Sequence, residues 1–270
     1  MMDLCNAQEV KALLARHGFR FSKAKGQNFL VASWVPSRIA EEAGVDGDCG
    51  VLEIGPGIGP LTQQLCLRAG RVTAVEVDRR LEPVLAETLG SFSNLRILWQ
   101  GLLQGDIPAP PRNYITAPVL AALLEAKCFS SVTVMVQKEV ARRMTAAPGS
   151  GDYGAFTVFC TYYARPRLLF EVPPSCFLPQ PQVTSAVVRL EVREAPLCPS
   201  EHEAMFFRVV RAAFAQRRKQ LQNALAAGFP ALGKERIASL LTACGVAPTA
   251  RGETLDIPAF ARIAAALAEA

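Results

Sequence analysis

Three glycines and a glutamate, set at fixed spacing, are the residues of this chain best placed for ligand chemistry. One apolar run ends in Gly55, Gly57 and Gly59, and 21 residues after Gly55 a second apolar run contains Glu76. Glycine lets the backbone approach a ligand closely, because no Cβ intrudes and a positive φ is readily adopted. A carboxylate at the tip of the second strand can accept hydrogen bonds from ribose hydroxyls. The spacing predicts a nucleoside site at the ends of two parallel strands.

The glycine turn does not suit a pyrophosphate. The dinucleotide fingerprint needs its third glycine where this chain has Pro60, with Gly59 one position early. Pro56 and Pro60 also remove backbone N–H donors that would cradle phosphate, and the Gly-Lys-Ser/Thr of a P-loop is absent. The pattern Glu-x-Gly-x-Gly-x-Gly, which begins at Glu53, therefore favours S-adenosylmethionine over NAD. A glycine-rich turn without a ligand is the alternative interpretation.

The composition is that of a folded protein without membrane spans. The chain has 270 residues, half of them apolar and a fifth charged, which suits one large domain or one α/β domain with a small appendage. No apolar run is long enough to cross a bilayer, and the N-terminus lacks the pattern of a signal peptide. The eight cysteines form no CxxC pair. We therefore expect a reduced, cytoplasmic protein without a metal site.

Charge is concentrated in two stretches. The net charge is +5, and the segments 11–25 and 206–222 each contain five lysine or arginine residues and no acid. Unbalanced basic segments beside a nucleoside fold indicate a polyanionic partner, because each neutralised phosphate releases counterions. Solvated helix faces are the alternative for either stretch taken alone.

The hydrophobic pattern predicts an α/β fold, a doubly wound and mostly parallel sheet, with a small C-terminal all-α domain. Strands are predicted at 51–54, 71–77, 95–99 and 132–136, with helices between them. The segments 155–163, 167–171 and 184–192 are assigned to the late strands and hairpin. Residues 1–196 are predicted to form the S-adenosylmethionine-binding domain, and residues 197–270 a helical RNA-binding domain.

The segment between the third strand and the next helix is too short for the expected fold. A fourth parallel strand needs a crossover of a dozen or more residues. Only the residues from Gly101 to Thr116 are available, and Pro108, Pro110 and Pro111 cannot sit in a central strand. We expect no room here for both a helix and a strand.

Several motifs, in order along the chain, together resemble the ribosomal RNA adenine dimethylase family, whose sister branch is the erythromycin-resistance methylases. They are Lys25–Leu30, Glu53–Gly59, Glu76–Asp78, Gln137–Val140, Val172–Arg189 and Phe214–Lys219. The resemblance implies a class I methyltransferase fold, S-adenosylmethionine as donor, and two successive methylations of adenine N6 on adjacent adenosines. The last motif is similar to the small-subunit ribosomal RNA branch. The implied partner is ribosomal RNA or the immature small ribosomal subunit, bound by a monomer.

The resemblance also implies roles for single residues. Asn28 and Leu30 match the segment that covers the methionine end of the cofactor, Gly55 the glycine beneath it, and Glu76 the ribose-binding acid. Phe177 matches an aromatic residue beside the flipped target base, which leaves its stack before chemistry. The cofactor-binding set is completed by Gln27, Glu53, Gly57, Val77 and Gly101, and the RNA-binding set comprises Lys23, Lys25, Arg217, Arg218 and Lys219.

Two positions depart from the family pattern. Gly101 stands where the family has an acid for the cofactor's adenine amine, and Asp106 is the nearest carboxylate. The family's Asn-Leu-Pro-Tyr after strand four is missing, although an alignment with a gap keeps Asn113 and Tyr114 as candidate catalytic residues. Three hypotheses remain: a working dimethylase, a catalytically impaired relative that binds ribosomal particles as an assembly factor, and a small-molecule methyltransferase. The basic stretches and the Phe177 loop argue against the third.

Overall fold

A computed structural model gives the fold. It describes residues 2–19, 27–101, 116–195 and 197–270, with the backbone alone for Thr116 and Ala117. The chain divides into two compact units. Unit 1 comprises Met1–Ala126, Thr133–Lys138 and Leu169–Val187, and unit 2 comprises Lys127–Val132, Glu139–Leu168 and Val188–Ala270. The domain boundary at residue 196 stays a prediction.

Strands and helices alternate along most of the chain before a helical C-terminal part. In chain order the elements are α1 (Ala7–Arg16), β1 (Phe29–Leu30), α2 (Trp34–Glu42), β2 (Gly50–Ile54), α3 (Pro60–Cys66), β3 (Arg71–Glu76), α4 (Glu82–Leu89), β4 (Leu95–Trp99), α5 (Thr116–Glu125), β5 (Ser131–Gln137), α6 (Lys138–Met144), α7 (Ala155–Tyr163), β6 (Ala164–Val172), β7 (Phe177–Leu178), β8 (Ser185–Val192), α8 (Glu203–Ala215), α9 (Leu221–Gly228), α10 (Gly233–Ala243) and α11 (Ile257–Ala268).

Three of the four predicted strands are confirmed as neighbours in a parallel sheet. Strands β2, β3 and β4 form a parallel sheet in that order, with Ile54 opposite Val75 and Glu76 opposite Trp99. The Gly55 N–H donates to the Val75 carbonyl at 2.9 Å, so β2 stays aligned with β3 up to the glycine turn. The turn and Glu76 therefore leave the sheet at the same edge, the carboxyl ends of the strands, where ligands bind in open α/β sheets.

Apolar side chains of the helices pack around this sheet and the glycine turn. One buried cluster joins Leu13 of α1 to Ile58 of the glycine turn and to Leu85 and Leu89 of α4. A second cluster includes Leu65 of α3, packed against strand and loop residues. Burial of each such side chain contributes about 1.5–3 kcal/mol relative to leaving it exposed, so the turn is anchored from several sides.

Two further sheets contain the remaining strands. Strands β5, β8 and β6 form one sheet in that order, and β1 pairs with β7. Within the described ranges, β2 hydrogen-bonds β3 alone and β5 hydrogen-bonds β8 alone. The expectation that no fourth strand fits before Thr116 concerns residues 102–115, which lie outside the described residues.

The prediction of a strand at 155–163 is wrong, because these residues form helix α7. The segment is rich in aromatic and β-branched residues, which favour strands. Tertiary packing overrides that preference, since Tyr162 and Tyr163 stack against Phe206 and Phe207 of α8 with ring centroids 4.7–5.8 Å apart. The Gly154 N–H also donates to the Thr157 hydroxyl, which begins the helix.

The helical character predicted for residues 200–270 is confirmed. Helix α8 packs against α9 and α11. The contact with α9 is close, because a Cβ added at Gly228 would lie 2.5 Å from the Ala212 Cβ. Phe206 and Phe260 are fully buried in this part of unit 2.

Candidate cofactor site

The glycine turn adopts the backbone that its sequence predicts. Gly55, Gly57 and Gly59 have φ values of +74°, +61° and +97°, which side-chain-bearing residues rarely adopt. A Cβ at Gly57 would lie 3.2 Å from the Phe29 ring, and one at Gly59 would lie 2.9 Å from Leu89. A Cβ at Gly55 would meet nothing within 4 Å. Gly55 therefore borders open space, whereas the other two glycines face packed side chains.

Glu76 is a buried carboxylate whose position is set by the backbone that follows it. Its Oε1 accepts the N–H groups of Val77 and Asp78 at 2.8 Å each, and the residue is only 7% exposed. Among the described residues, the hydrogen bonds of this carboxylate all go to Oε1 and none to Oε2. One oxygen thus orients the carboxylate and the other is left to accept hydrogen bonds from a ligand. Beside it, the Val77 side chain is 66% exposed and gives the rim an apolar surface.

Glu53 is a second buried acid, two residues before Gly55. It is 7% exposed, and its Oε2 has no hydrogen-bond partner among the described residues. Burial, reinforced by the negative charge of Glu76 and opposed by the Thr62 hydroxyl, raises the pKa of Glu53 to about 7. Among the described residues no cation pairs with this carboxyl group, so burial favours its protonated form.

The segment before α2 packs against the glycine turn. Phe29 packs its ring against Gly57, and the Gln27 side-chain amide donates to Asp78 Oδ2 at 2.8 Å. Pairing of β1 with β7 places Leu30 opposite Phe177, and the Val31 N–H donates to the Cys176 carbonyl at 2.8 Å.

Residues predicted from distant motifs are therefore neighbours in space. The structure brings together the N-terminal segment with Gln27 and Leu30, the glycine turn, the end of β3 and the loop that contains Phe177. Asn28 lies within the same segment. The assignment of these residues to a cofactor stays a prediction, which their proximity favours.

Phe177 itself is covered. The residue is 5% exposed and packs in a cluster with Leu30, Val35, Val172 and Val187. A base can stack on this ring only if part of that cover moves. The role of Phe177 at the target base stays a prediction.

The remaining predicted site residues differ in what the structure shows. Gly101 follows β4, and a Cβ added there would meet nothing within 4 Å. The candidate catalytic residues Asn113 and Tyr114, and the candidate RNA-binding residues Lys23 and Lys25, lie outside the described residues.

The basic cluster 217–219 follows the end of α8 and is exposed, but its members differ. Arg217 donates to the Gly151 carbonyl, and its Nε lies 3.4 Å from Glu253. Arg218 and Lys219 form no ion pair within the part of the chain that the structure describes. Arg217 thus helps to hold the segment in place, whereas the other two cations are available to a partner.

One acid on α4 neutralises part of the first basic stretch. Arg16 and His17 lie 2.5 and 2.6 Å from the two carboxylate oxygens of Glu87 on α4. Both contacts, His17 first, hold the pKa of Glu87 below its usual value. The sequence alone does not reveal this contact of His17, because it depends on which helix lies beside α1.

The sequence analysis gave no individual role to two further residues at the ends of these strands, Asp78 and Ile54. Asp78 ties the N-terminal segment to the end of β3 through Gln27, and it also binds Arg80, whose Nε lies 2.9 Å from Asp78 Oδ1. Ile54 is 41% exposed at the end of β2. The run Glu76-Val77-Asp78 could have drawn attention to the first, because both acids follow one strand.

Within the described ranges, no group of three or more His, Cys, Asp or Glu side chains could hold a metal ion. The helices of those same ranges are all too short or too polar to span a bilayer.

A parallel sheet in which β2 ends in a glycine turn and β3 in a buried glutamate is the arrangement of nucleoside-binding α/β folds. The solved structures that are similar to it place the fold in the class I methyltransferases. The 23S rRNA methyltransferase ErmE has a similar crystal structure, with a TM-score of 0.70 and 30% identity over 89% of this chain and 100% of that one. A dimethyladenosine transferase from Plasmodium falciparum shares the fold, with a TM-score of 0.74 and 23% identity over 85% of this chain and 94% of that one.

Sequence comparison narrows the class to a family. A family model described as "Ribosomal RNA adenine dimethylase" matches residues 18–269. The chain belongs to the ribosomal RNA adenine dimethylase family.

Curated relatives match over nearly their full length. The protein named ribosomal RNA small subunit methyltransferase A of Geobacillus thermodenitrificans is 43% identical, with 98% of this chain and 97% of that protein covered. Its namesake from Alkaliphilus oremlandii is 40% identical, with 100% and 99% covered. The first alignment spans 284 positions against the 270 residues of this chain, so at least 14 positions have no counterpart here.

Proposed function

We propose that this protein transfers methyl groups from S-adenosylmethionine to N6 of adjacent adenosines in small-subunit ribosomal RNA. The observation that carries the proposal is the convergence of the Gln27–Leu30 segment, the glycine turn and Glu76 at one edge of the parallel sheet. The same proposal makes the protein a cytoplasmic monomer that acts during assembly of the small ribosomal subunit.

The residues present fit this cofactor. A ribose offers two hydroxyl donors, and Glu76 has one oxygen held by backbone N–H groups and one left over. Gly55 borders open space at the same edge, and the exposed Val77 offers an apolar surface for a purine ring. The turn has prolines at positions 56 and 60 and lacks the donors that a pyrophosphate would require.

S-adenosylmethionine would supply the methyl group on its sulfonium sulfur. The protein's own task is positional, since transfer to a weakly nucleophilic amine depends mainly on holding donor and acceptor in near-attack geometry. Gln27 and Phe29 anchor the segment that would cover the donor. Asn113, Tyr114 and Phe177 are proposed to receive the target adenine.

Charge supports an RNA partner. Unit 2 contains 16 Lys and Arg against 10 Asp and Glu, a net charge of +6, whereas unit 1 contains 13 against 14, a net charge of −1. The whole positive excess of the chain therefore belongs to unit 2, which includes Arg218 and Lys219, the two cations without an ion pair to any described residue. A basic surface of this kind suits RNA phosphates.

Incubation with isotope-labelled S-adenosylmethionine and immature small-subunit particles tests the proposal. We expect label in the RNA, recovered as N6,N6-dimethyladenosine after nuclease digestion. A Glu76→Gln variant serves as the matched control, because it removes one charge from the ribose site and should lower incorporation. Particles that bind the protein and the donor yet acquire no label would contradict the proposed reaction.

A further inference from the structure

The solvent-exposed side of helix α2 presents a large aromatic ring that the proposed chemistry does not use. Trp34 is the first residue of the helix and is 43% exposed, although its ring also packs against Phe170 with centroids 5.6 Å apart. Val35 and Ile39 of the same helix are buried. Tryptophan is enriched where proteins bind one another, and its truncation there often costs much of the affinity. The exposed ring therefore singles out this side of α2 as a surface for a partner.

Trp34 borders an open cleft of about 650 Å³, which we call the α2 cleft. Its described lining comes from one helix and consists of Trp34, Ser37, Arg38, Glu41 and Glu42. Arg38 is held there, because its Cζ lies 4.4 Å from the centre of the Phe170 ring and its Nε lies 3.6 Å from Glu42 Oε1. A cation that contacts both an aromatic ring and a carboxylate is thus already present at the cleft. The same two kinds of group, Trp34 and Glu41, remain at its exposed side.

The charge around the α2 cleft favours a cationic partner over RNA. Residues 31–50 contain one arginine against four acids, a net charge of −3, in a chain whose net charge is +5. Glu41 is exposed and forms no ion pair with a described residue. RNA phosphates would be repelled by this segment, whereas lysine and arginine side chains would be attracted to it. The α2 cleft is therefore unsuited to the RNA backbone that fits the basic residues of unit 2.

We propose that the α2 cleft docks a lysine- or arginine-rich segment of a protein that belongs to the immature small ribosomal subunit. This inference rests on the proposed function, which supplies the particle. A protein bound to ribosomal RNA carries cations for that purpose, so the particle contains such segments. One cationic side chain would lay its stem and charge on the Trp34 ring, and another would pair with Glu41.

The spacing of the two contacts suits an extended peptide. Trp34 and Glu41 are seven residues apart, close to two helical turns, so they lie on the same side of α2 and about 10 Å apart along its axis. About three residues of extended chain cover that distance. A segment with cations three residues apart can therefore reach both groups at once.

Charge reversal at Glu41 separates a protein segment from RNA by the sign of its effect. The affinity of the full-length protein is measured for immature small-subunit particles and for the same ribosomal RNA stripped of protein. Glu41→Lys should weaken binding to the particle by about fivefold or more, because like charges then meet in the cleft. It should not weaken binding to the stripped RNA, because an added cation favours phosphate. Glu125→Lys is the matched control, since this exposed acid of α5 makes the same charge change outside the cleft and should weaken neither complex.

A second pair of measurements identifies what lies against Trp34. Trp34→Ala should weaken binding to the particle by about tenfold and leave binding to the stripped RNA unchanged. A photoreactive benzoylphenylalanine in place of Trp34 should cross-link to a lysine- or arginine-rich peptide of a ribosomal protein. The same group in place of Leu67, an exposed apolar residue outside the cleft, should not.

The outcomes separate this inference from the proposed function. Particle binding that neither Glu41→Lys nor Trp34→Ala weakens, or a cross-link from position 34 to RNA, overturns the inference and leaves the proposed function intact. Glu41→Lys that strengthens both complexes does the same, because it would place RNA in the cleft. A wild-type protein that binds neither the particle nor its RNA overturns both.

Discussion

Glu53→Gln should stabilise the ligand-free protein, and the gain should grow with pH. Burial raises the pKa of this carboxyl group from 4.5 to about 7. Each unit of difference corresponds to about 1.4 kcal/mol, so ionised Glu53 costs the folded protein about 3 kcal/mol relative to the unfolded chain. Between pH 4.5 and 7 the folded protein holds a proton that the unfolded chain has lost. The stability associated with this group is thus complete below pH 4.5 and is lost as the pH rises through 7.

Urea unfolding of wild type and Glu53→Gln at pH 5, 6, 7 and 8 measures the effect. All other titrating groups are shared, so the difference between the two free energies of unfolding isolates Glu53. We expect that difference to shift in favour of the variant by about 3 kcal/mol from the acidic limit to pH 8. The same comparison with Glu125→Gln should stay flat, because Glu125 is exposed. Two parallel pH profiles for wild type and Glu53→Gln would refute the reasoning, since they would show that the carboxyl group titrates alike in folded and unfolded chains.

Three further changes test other parts of the site. Glu76→Ala should weaken S-adenosylmethionine binding by about 1–3 kcal/mol, the usual cost of losing a charged hydrogen-bond partner, and unchanged calorimetric affinity would remove Glu76 from the site. Gly59→Ala should destabilise the protein more than Gly55→Ala, because both strain a positive φ but only the former meets Leu89, at 2.9 Å; equal denaturation midpoints would contradict this. Replacing Arg218 and Lys219 with glutamine should lower the slope of log affinity against log salt for ribosomal RNA by about one per residue, and an unaltered slope would place both outside the interface.

The local pattern of apolar and glycine residues was sufficient to predict the strands of the parallel sheet. The runs that contain Glu53 and Glu76 became β2 and β3, because continuous apolar segments bounded by glycine turns have few other ways to be buried. The three positive φ angles also follow from residue type, since glycine adopts them at little cost. The family, too, was evident from motifs that retain their order along the chain.

Residues 155–163 show where local pattern fails. Their aromatic and β-branched side chains favour a strand, but the segment is a helix whose Tyr162 and Tyr163 rings pack against α8. A contact with residues more than 40 positions away is invisible to a window of neighbours. Burial of these rings against α8 outweighs the local preference of the segment for a strand.

The sequence by itself determined which residues are available for chemistry: the glycines, the two acids and the basic cluster at 217–219. Only the tertiary structure decided their states. Among the described residues it buried Glu53 beside Glu76 with no cation to pair it, covered Phe177 with apolar side chains, and engaged Arg217 while giving Arg218 and Lys219 no ion pair. The reason is that charge state and accessibility depend on desolvation and on neighbours brought together from distant parts of the chain, whereas turn geometry depends on the residue itself.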